Sequence, residues 1–140
     1  MAITIQLVTT WNTNDIVRLY KAANWWKESY DAKHLPRLIQ NSFAFVVAVD
    51  TDKGKTIGMG RVISDAVSDA YIQDVVVLDD YRKQGIGTMI IDNLVSYCTS
   101  KGIHWIGLIA EPGSAQFYKN SGFHVMVEYI PMLYSKDEKP

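Results

Sequence analysis

One stretch constrains the fold of this chain more than any other: an apolar segment leads through a short polar loop into glycines that open an amphipathic segment. The apolar part is Val75–Val77, the loop carries Arg82 and Lys83, and the glycines are Gly85 and Gly87. The first amides of a helix have no intrahelical partner, and the helix dipole places positive charge there. The stretch therefore predicts a phosphate site, with glycines that serve only as turn residues as the alternative.

Hydrophobic periodicity predicts alternating strands and helices along the chain. Three consecutive strands form an antiparallel meander, and the strand, helix and strand around residue 85 form a βαβ crossover with parallel strands. A break or a late start is expected in the second helix, because Pro36 lies inside it. The predicted strands are Ile3–Val8, Phe43–Val49, Thr56–Ile63, Tyr71–Val77, Ile103–Ile109 and Phe123–Leu133. The predicted helices run from the capping residues Thr13–Asp15 to near Asn24, and over Ala32–Gln40, Gly85–Lys101 and Gly113–Asn120.

Composition limits the class of protein. The 140 residues, 48% of them hydrophobic, fit a single domain over residues 1–140, with a charged tail at 135–140 that we expect to be frayed. A net charge of −1 with mixed signs argues against a nucleic-acid partner. The sequence has neither a membrane-length apolar run nor the pattern of a signal peptide, so we expect a cytoplasmic protein without a membrane partner.

Cysteine and histidine usage predicts no metal site. The one cysteine, Cys98, excludes an internal disulfide and falls on an apolar helix face, where core packing is expected. His34, His104 and His124 lack metal-ligand spacing. Gly54-Lys55-Thr56 ends like a P-loop, but valine occupies position 49, where the first glycine is needed, so that interpretation is rejected.

Two motifs together resemble the GNAT superfamily of N-acetyltransferases. Arg82–Gly87 follows the pattern R-x-x-G-x-G, and Phe117–Phe123 follows F-Y-x-x-x-G-F. The resemblance covers about Phe43 to Phe123. It implies an α/β (α+β) fold with a mixed, mostly antiparallel sheet of six to seven strands, about four flanking helices, and the βαβ crossover after the R-x-x-G-x-G loop.

The same resemblance implies that acetyl-CoA is the co-substrate. The pantetheine arm would pair with the backbone of Val75 and Val77, as an added strand does, and the diphosphate would bind the backbone from Lys83 to Thr88. Many members have an asparagine where this chain has Glu111, so that contact is a departure from the family. The expected coenzyme-binding residues are Val75, Val76, Val77, Arg82, Lys83, Gln84, Gly85, Ile86, Gly87, Thr88, Phe117 and Tyr118.

The acceptor amine must lose a proton before it attacks, at a cost of about 4.6 kcal/mol at pH 7. In the family the base often comes from positions matching Tyr71 or Gln73, which strand alternation places with Val75 on one face. Neither residue is a carboxylate or a histidine here. Asp74 on the opposite face, Glu111, or a water chain ordered by Gln73 and Tyr71 are the alternatives.

Tyr118 is expected to give a proton or a hydrogen bond to the departing thiolate, as the resemblance implies for this place in the second motif, with an aromatic ring packed on the core as the alternative. The function predicted is acetyl transfer from acetyl-CoA to a primary amine of a small molecule or peptide by direct attack. An acyl-CoA-binding sensor with little turnover and an unrelated nucleotide-phosphate module are the alternatives. Trp25, Trp26 and Tyr30 either form an aromatic wall for the acceptor or pack on the core. The acceptor, the base, the acyl length and a homodimer stay open.

Overall fold

The computed structural model describes residues 2–136 and divides the chain into two compact units, Met1–Leu108 and Ile109–Pro140. The single domain predicted over residues 1–140 stays a prediction. The strands are β1 (Ile3–Leu7), β2 (Ala44–Asp50), β3 (Lys55–Ser64), β4 (Asp69–Val77) and β5 (Trp105–Gly107). The α-helices of the described part are α1 (Thr13–Ala22), α2 (Leu35–Asn41), α3 (Ile86–Ser100) and α4 (Ala115–Asn120), with 3-10 turns at Ala32–His34 and Asp79–Tyr81.

The first unit contains a mixed sheet in the order β1-β2-β3-β4-β5. Neighbouring strands from β1 to β4 pair antiparallel. Strands β4 and β5, which α3 connects along the chain, pair parallel. This arrangement confirms the predicted meander and the βαβ crossover. The α+β class, the mostly antiparallel sheet and the number of four helices are therefore confirmed within the described residues.

Strand β2 forms the centre of the core, because each of its seven residues is buried. On one face of the sheet Phe45 and Val47 pack in a cluster with Ile16 and Leu19 of α1. On the other face α3 lies close to the backbone of β3. A Cβ added at Gly60 would meet Ile90 Cγ2 at 2.8 Å, which is closer than real Cβ contacts, so this glycine permits the approach of α3.

The N-terminal helices differ from the sequence prediction in one detail. The N-cap of α1 is Asn12, whose side chain accepts a hydrogen bond from the Asp15 N–H at 3.0 Å, so the capping role assigned to Thr13–Asp15 was wrong. Three residues separate these partners, which is the usual capping geometry. Pro36 lies in the first turn of α2, where its missing N–H costs nothing, and this confirms the late start.

The second unit contains helix α4, but the predicted strand Phe123–Leu133 is wrong. Turn geometry interrupts the segment, since Glu128 has φ +67° and the Tyr129 N–H donates to the Met126 carbonyl at 3.1 Å. From residue 124 onward its side chains are exposed, including 76% of Ile130. The described residues therefore form five strands, not the predicted six to seven, because an alternating pattern makes a strand only where a partner strand pairs with it. Of the tail expected to be frayed, residues 137–140 lie outside the described part.

Candidate active site

Side-chain hydrogen bonds hold the loop between β4 and α3 against two strands, β2 and β4. Tyr81 is buried, and its hydroxyl donates to Asp50 Oδ2 at the end of β2 over 2.7 Å. Arg82 Nε donates to the Val77 carbonyl at 3.0 Å, and its Nη1 pairs with Asp79 Oδ1 at 3.0 Å. Arg82 thus closes the loop onto the strand that precedes it, in addition to contributing charge at its rim.

Helix α3 begins with open amides, as the glycine spacing predicts. Gly85 is the N-cap with φ +81°, and Lys83 also has a positive φ of +63°. The first helical hydrogen bond runs from the Met89 N–H to the Gly85 carbonyl at 3.1 Å, so the amides of residues 86–88 have no acceptor within the helix. Ile86 is buried and anchors the turn, whereas Thr88 is exposed. This geometry fits a diphosphate, because several N–H groups converge at the positive end of a 15-residue helix.

Strands β4 and β5 part soon after they meet, as expected for the entry of a ligand's arm. Their pairing covers only Asp69–Tyr71 against Trp105–Gly107. Beyond it, the Leu78 N–H donates to Ile57 of β3 at 2.9 Å, and backbone groups alternate in direction along a strand. The groups of Val77 therefore point toward the β5 side, where its carbonyl already accepts from Arg82. Backbone groups on this side of β4 can pair with a pantetheine amide.

A β-bulge in β4 overturns the predicted distribution of side chains between the two faces of the sheet. Arg61 pairs with Gln73 and Met59 pairs with Val76, so two residues of β4 lie opposite the single residue Gly60. Paired residues share a face, which places Gln73 and Val76 on the face of Met59. Val75 lies instead near Gly60 on the α3 face, where its Cγ2 would be 3.3 Å from an added Cβ. The prediction that Tyr71, Gln73 and Val75 share one face was wrong for Val75, because the extra residue resets the alternation.

Asp74 occupies the bulge in a left-handed conformation, with φ +58°. Its Oδ2 accepts a hydrogen bond from Tyr20 OH at 2.8 Å and from Arg61 Nε at 2.6 Å. Arg61 Nη2 lies 3.4 Å from Gln73 Oε1, so Asp74 and Gln73 meet at one guanidinium. The prediction that Asp74 lies on the opposite face from Gln73 was therefore also wrong.

Tyr20 is held in its neutral form. Burial raises the pKa of its hydroxyl well above the usual value, and the charge and hydrogen bond of Asp74 raise it further, against a smaller opposing effect of Arg61. A neutral tyrosine donates to the carboxylate at all physiological pH values. Tyr20 therefore fixes the orientation of the Asp74 carboxylate.

A cavity of about 700 Å³ opens over this cluster in the first unit. Its aromatic residues form a chain of rings: Tyr20 to Trp26 at 6.3 Å between centroids, and Trp26 to Tyr30 at 5.6 Å with the planes nearly perpendicular. Trp25 also packs on Tyr20, at 6.4 Å. Both tryptophans contact the core cluster, as the packing interpretation predicts, and both also line the cavity, so a role toward the acceptor stays a prediction. The polar side chains at the cavity wall are those of Ser29, Asp31, His34, Arg37, Asn41 and Asp74.

The remaining predicted site residues lie in the second unit or on the rim of the first. Burial raises the pKa of the half-buried Tyr118, and the charge of Glu111 raises it further. Phe117 contacts the Tyr118 ring at 4.9 Å, and the exposed Glu111 accepts from Ser114 through its carbonyl at 3.0 Å. In the first unit Tyr71 is exposed and packs against Trp105, with 5.3 Å between the ring centroids and 60° between the planes.

Sequence reasoning missed Tyr20, Arg61 and Arg37, and for His34 it left open a place facing the acceptor pocket or a surface position. Arg61 had a readable signal, since it is a charged residue inside an otherwise apolar strand after the glycines of β3. Tyr20 had none, because its position on the apolar face of α1 is typical of a core residue. No group of three potential metal ligands and no helix long and apolar enough to cross a bilayer occur in residues 2–136.

The chain belongs to the acetyltransferase (GNAT) family, whose sequence profile matches residues 10–123. This match confirms the resemblance carried by the two motifs. The family uses acetyl-CoA, and its members act on amine acceptors.

Known relatives agree with this assignment. The chain is 32% identical over 114 residues to the uncharacterized N-acetyltransferase ycf52 of Gracilaria tenuistipitata var. liui, covering 80% of this chain and 62% of that protein. It is 31% identical over 97 residues to GCN5-related N-acetyltransferase 3, chloroplastic, of Arabidopsis thaliana, covering 69% of this chain and 39% of that protein. The chain thus spans less than two thirds of the length of these relatives.

A solved structure has the same fold over nearly the whole chain. It is the acetyltransferase, GNAT family protein SP0256 from Streptococcus pneumoniae TIGR4, with a TM-score of 0.81 and 25% identity. The match covers 98% of this chain and 100% of that one. The cytoplasmic location predicted from the sequence stays a prediction, since the Arabidopsis relative is named as chloroplastic.

Proposed function

We propose that this protein transfers an acetyl group from acetyl-CoA to a primary amine by direct attack. The observation that carries the proposal is the open N-terminus of α3 beside the point where β4 and β5 part. The diphosphate would bind the amides of residues 86–88, and the pantetheine arm would lie along the β5 side of β4. Val75, Arg82, Lys83 and Gln84 would lie near the coenzyme on this side, whereas the side chain of Val76 is buried in the core cluster and its backbone faces β3.

In the reaction, the amine nitrogen attacks the thioester carbonyl carbon to form a tetrahedral intermediate. The carbon–sulfur bond then breaks, the nitrogen gives up a proton, and the thiolate leaves as free CoA after it takes one up. The products are an acetamide, CoA and the proton that the acceptor ammonium released. No covalent enzyme intermediate is needed.

For removal of the amine proton we propose Asp74, directly or through a water molecule held by Gln73 and Tyr71. The bulge supports this, because it brings Asp74 and Gln73 to the same guanidinium at the cavity. A water relay needs only groups that position it, so neither glutamine nor tyrosine has to accept the proton. Glu111, the other acidic candidate, acts in this proposal through its charge on Tyr118.

For protonation of the leaving thiolate we propose Tyr118. Burial, and then the charge of Glu111, raise the pKa of Tyr118. Because a tyrosine is protonated at neutral pH even without this shift, the raised pKa makes the phenol a weaker acid that would act first as a hydrogen-bond donor to the thiolate. A protonated phenol can donate to a thiolate, whose thiol has a pKa of about 8.5 in its ordinary state. Phe117 holds the ring by an edge contact.

Two assays on the same preparation test the proposal. Calorimetry with acetyl-CoA measures coenzyme binding, and thiol release over a panel of primary amines measures transfer. We expect both to be positive. Coenzyme binding without thiol release from any amine would support the sensor alternative, and stabilisation by ATP but not by CoA would support the nucleotide module.

The substitution Tyr118→Phe tests the mechanism. Because the variant keeps the ring and loses only the donor, we expect kcat to fall about a hundredfold, while the Kd of acetyl-CoA changes less than about twofold. Tyr129→Phe, an exposed tyrosine of the same unit, is the matched control and should leave both constants unchanged. Unchanged kcat in Tyr118→Phe would remove this residue from the mechanism.

A further inference from the structure

The cavity beside the bulge has one wall of aromatic rings and one carboxylate with a specific orientation. Tyr20 contacts both, because its hydroxyl bonds Asp74 at 2.8 Å and its ring lies 6.3 Å from that of Trp26. A single residue therefore separates the carboxylate from the indole. An alkyl chain of a few carbons between a ring and an amino group spans such a separation.

The carboxylate of Asp74 is prepared to accept a further donor. Both of its hydrogen bonds in the described part of the chain go to Oδ2, whereas Oδ1 has none there. The residue is partly accessible, with 22% of its side chain exposed, and it lies in the cavity wall. The Arg61 guanidinium at 2.6 Å offsets part of its charge, so Oδ1 would bind an amino group mainly by accepting its N–H.

The rings hold one another in place and still leave surface for a ligand. Trp26 and Tyr30 meet at 87° between planes, an edge-to-face contact that fixes both rings at little entropic cost. Tyr30 remains 49% exposed. The second carboxylate of the wall, Asp31, is already paired with Lys33 at 3.3 Å, which leaves Asp74 as the carboxylate next to the sheet.

We infer that the acceptor is an arylalkylamine, a small primary amine that carries an aromatic ring on a short alkyl chain. The ring would pack on Trp26 and Tyr30, and the amino group would donate to Asp74 Oδ1. A cavity of about 700 Å³ accommodates a molecule of this size. The inference rests on the proposed acetyl transfer, since it names the acceptor of that reaction.

Three ligands separate the contributions of the ring and of the amino group. Phenethylamine has both, propylbenzene has the ring and no hydrogen-bond donor, and hexylamine has the amino group only. In calorimetric titrations with and without CoA, we expect phenethylamine to bind at least about tenfold more tightly than either analogue. Equal affinity for phenethylamine and hexylamine, or no binding of phenethylamine in either titration, would overturn the inference.

Two substitutions assign these contributions to residues. Tyr30→Ala should weaken phenethylamine binding about three- to tenfold and leave hexylamine unchanged. Tyr129→Ala, which removes an exposed tyrosine outside the cavity, should have no effect.

The substitution Asp74→Asn tests the contact to the amino group. Asparagine tolerates the left-handed backbone at this position, and Arg61 would orient its amide oxygen. The amide N–H would then face the cavity, so phenethylamine binding should fall about tenfold while propylbenzene binding stays the same. Equal losses for both ligands in Asp74→Asn would contradict the assigned contact.

The titrations do not depend on turnover, so the two proposals can fail separately. Thiol release with hexylamine or a polyamine, without preference for phenethylamine, would preserve acetyl transfer and overturn the arylalkylamine inference. Absence of thiol release from every amine, with tight phenethylamine binding, would preserve the subsite and overturn the proposed function.

Discussion

The loop proposed to bind the coenzyme (the coenzyme loop) and the cavity proposed to bind the acceptor (the acceptor cavity) lie on the same strand, β4, and are built in opposite ways. At the C-terminal end of β4 the loop offers backbone amides and two residues with positive φ, Lys83 and Gly85. At the bulge the cavity depends on side chains from α1, β3 and β4, joined through Asp74. The first region should therefore tolerate side-chain changes that preserve the backbone, and the second should not.

The largest effect is expected from breaking the ion pair of the cavity. Arg61→Met removes the partner of Asp74 from a site in which 15% and 22% of the two side chains are exposed. We expect the free energy of unfolding to fall by about 2 kcal/mol in chemical denaturation, because a half-buried carboxylate loses its counterion. The Kd of acetyl-CoA should change little.

The matched control for that substitution is Arg18→Met. Arg18 pairs with Asp15 at 3.4 Å on the surface of α1, so its loss should cost less than about 0.5 kcal/mol. A similar loss of stability in both variants would contradict a special role for the Arg61 pair.

The backbone of the coenzyme loop is tested by Gly85→Ala. A Cβ here has open space around it, but φ is +81°, so the substitution strains the N-cap by about 1 kcal/mol. We expect acetyl-CoA to bind about tenfold more weakly in calorimetry, because the amides that face the diphosphate shift.

Gly102→Ala at the other end of α3 provides the comparison. Gly102 has φ +82° and open space for a Cβ, so the backbone strain is the same. Stability should fall by a similar amount while acetyl-CoA binding stays unchanged. Weaker coenzyme binding in both variants would indicate general destabilisation of α3 and not a local effect on the loop.

The contact that fastens the loop to β2 should appear in the pH dependence of stability. The hydrogen bond from the Tyr81 hydroxyl, with smaller contributions from backbone amides, lowers the pKa of Asp50 in the folded protein. The folded state is therefore stabilised at pH values above the pKa that Asp50 has in the unfolded chain. This stabilisation is lost as pH falls through the pKa of Asp50 in the folded protein. Tyr81→Phe should therefore melt below the wild type at pH 6, and the difference should narrow toward pH 3. A difference independent of pH would show that the hydrogen bond to the charged carboxylate contributes nothing.

The smallest effect is expected from Gln84→Ala in the coenzyme loop. The Gln84 side chain is exposed and reaches only the Asp80 carbonyl at 3.5 Å. Because the proposed diphosphate contact uses backbone amides, the Kd of acetyl-CoA should change less than about twofold. A tenfold loss in calorimetry would contradict a backbone-based site.

Local sequence signals predicted the coenzyme region well. The apolar run before Leu78, the glycines and the helical spacing after Ile86 act within a few residues of one another, so the strand, the loop and the start of α3 could be predicted together. The predicted strand Phe123–Leu133 failed for the complementary reason. Alternation describes what a segment can do, whereas pairing with another strand decides whether it does so.

The cavity could not be predicted in this way. Tyr20 and Asp74 are 54 residues apart, and their contact depends on the bulge, which changes the face of every residue beyond it. Counting alternate residues along β4 therefore placed Asp74 on the wrong face and Val75 beside Gln73. The aromatic residues were identified, but only the packing of Trp26 against Tyr20 and Tyr30 placed them beside a carboxylate.

The sequence by itself determined the family, the meander and the turn from β4 through the glycine loop into α3, because two short motifs and the local hydrophobic periods suffice for each of them. Only the tertiary structure decided the side-chain cluster of Tyr20, Arg61 and Asp74 and the cavity above it. The physical reason is that the local geometry of a helix N-terminus alone leaves its first backbone amides unpaired. A site made of side chains depends on strand register, and one inserted residue changes that register.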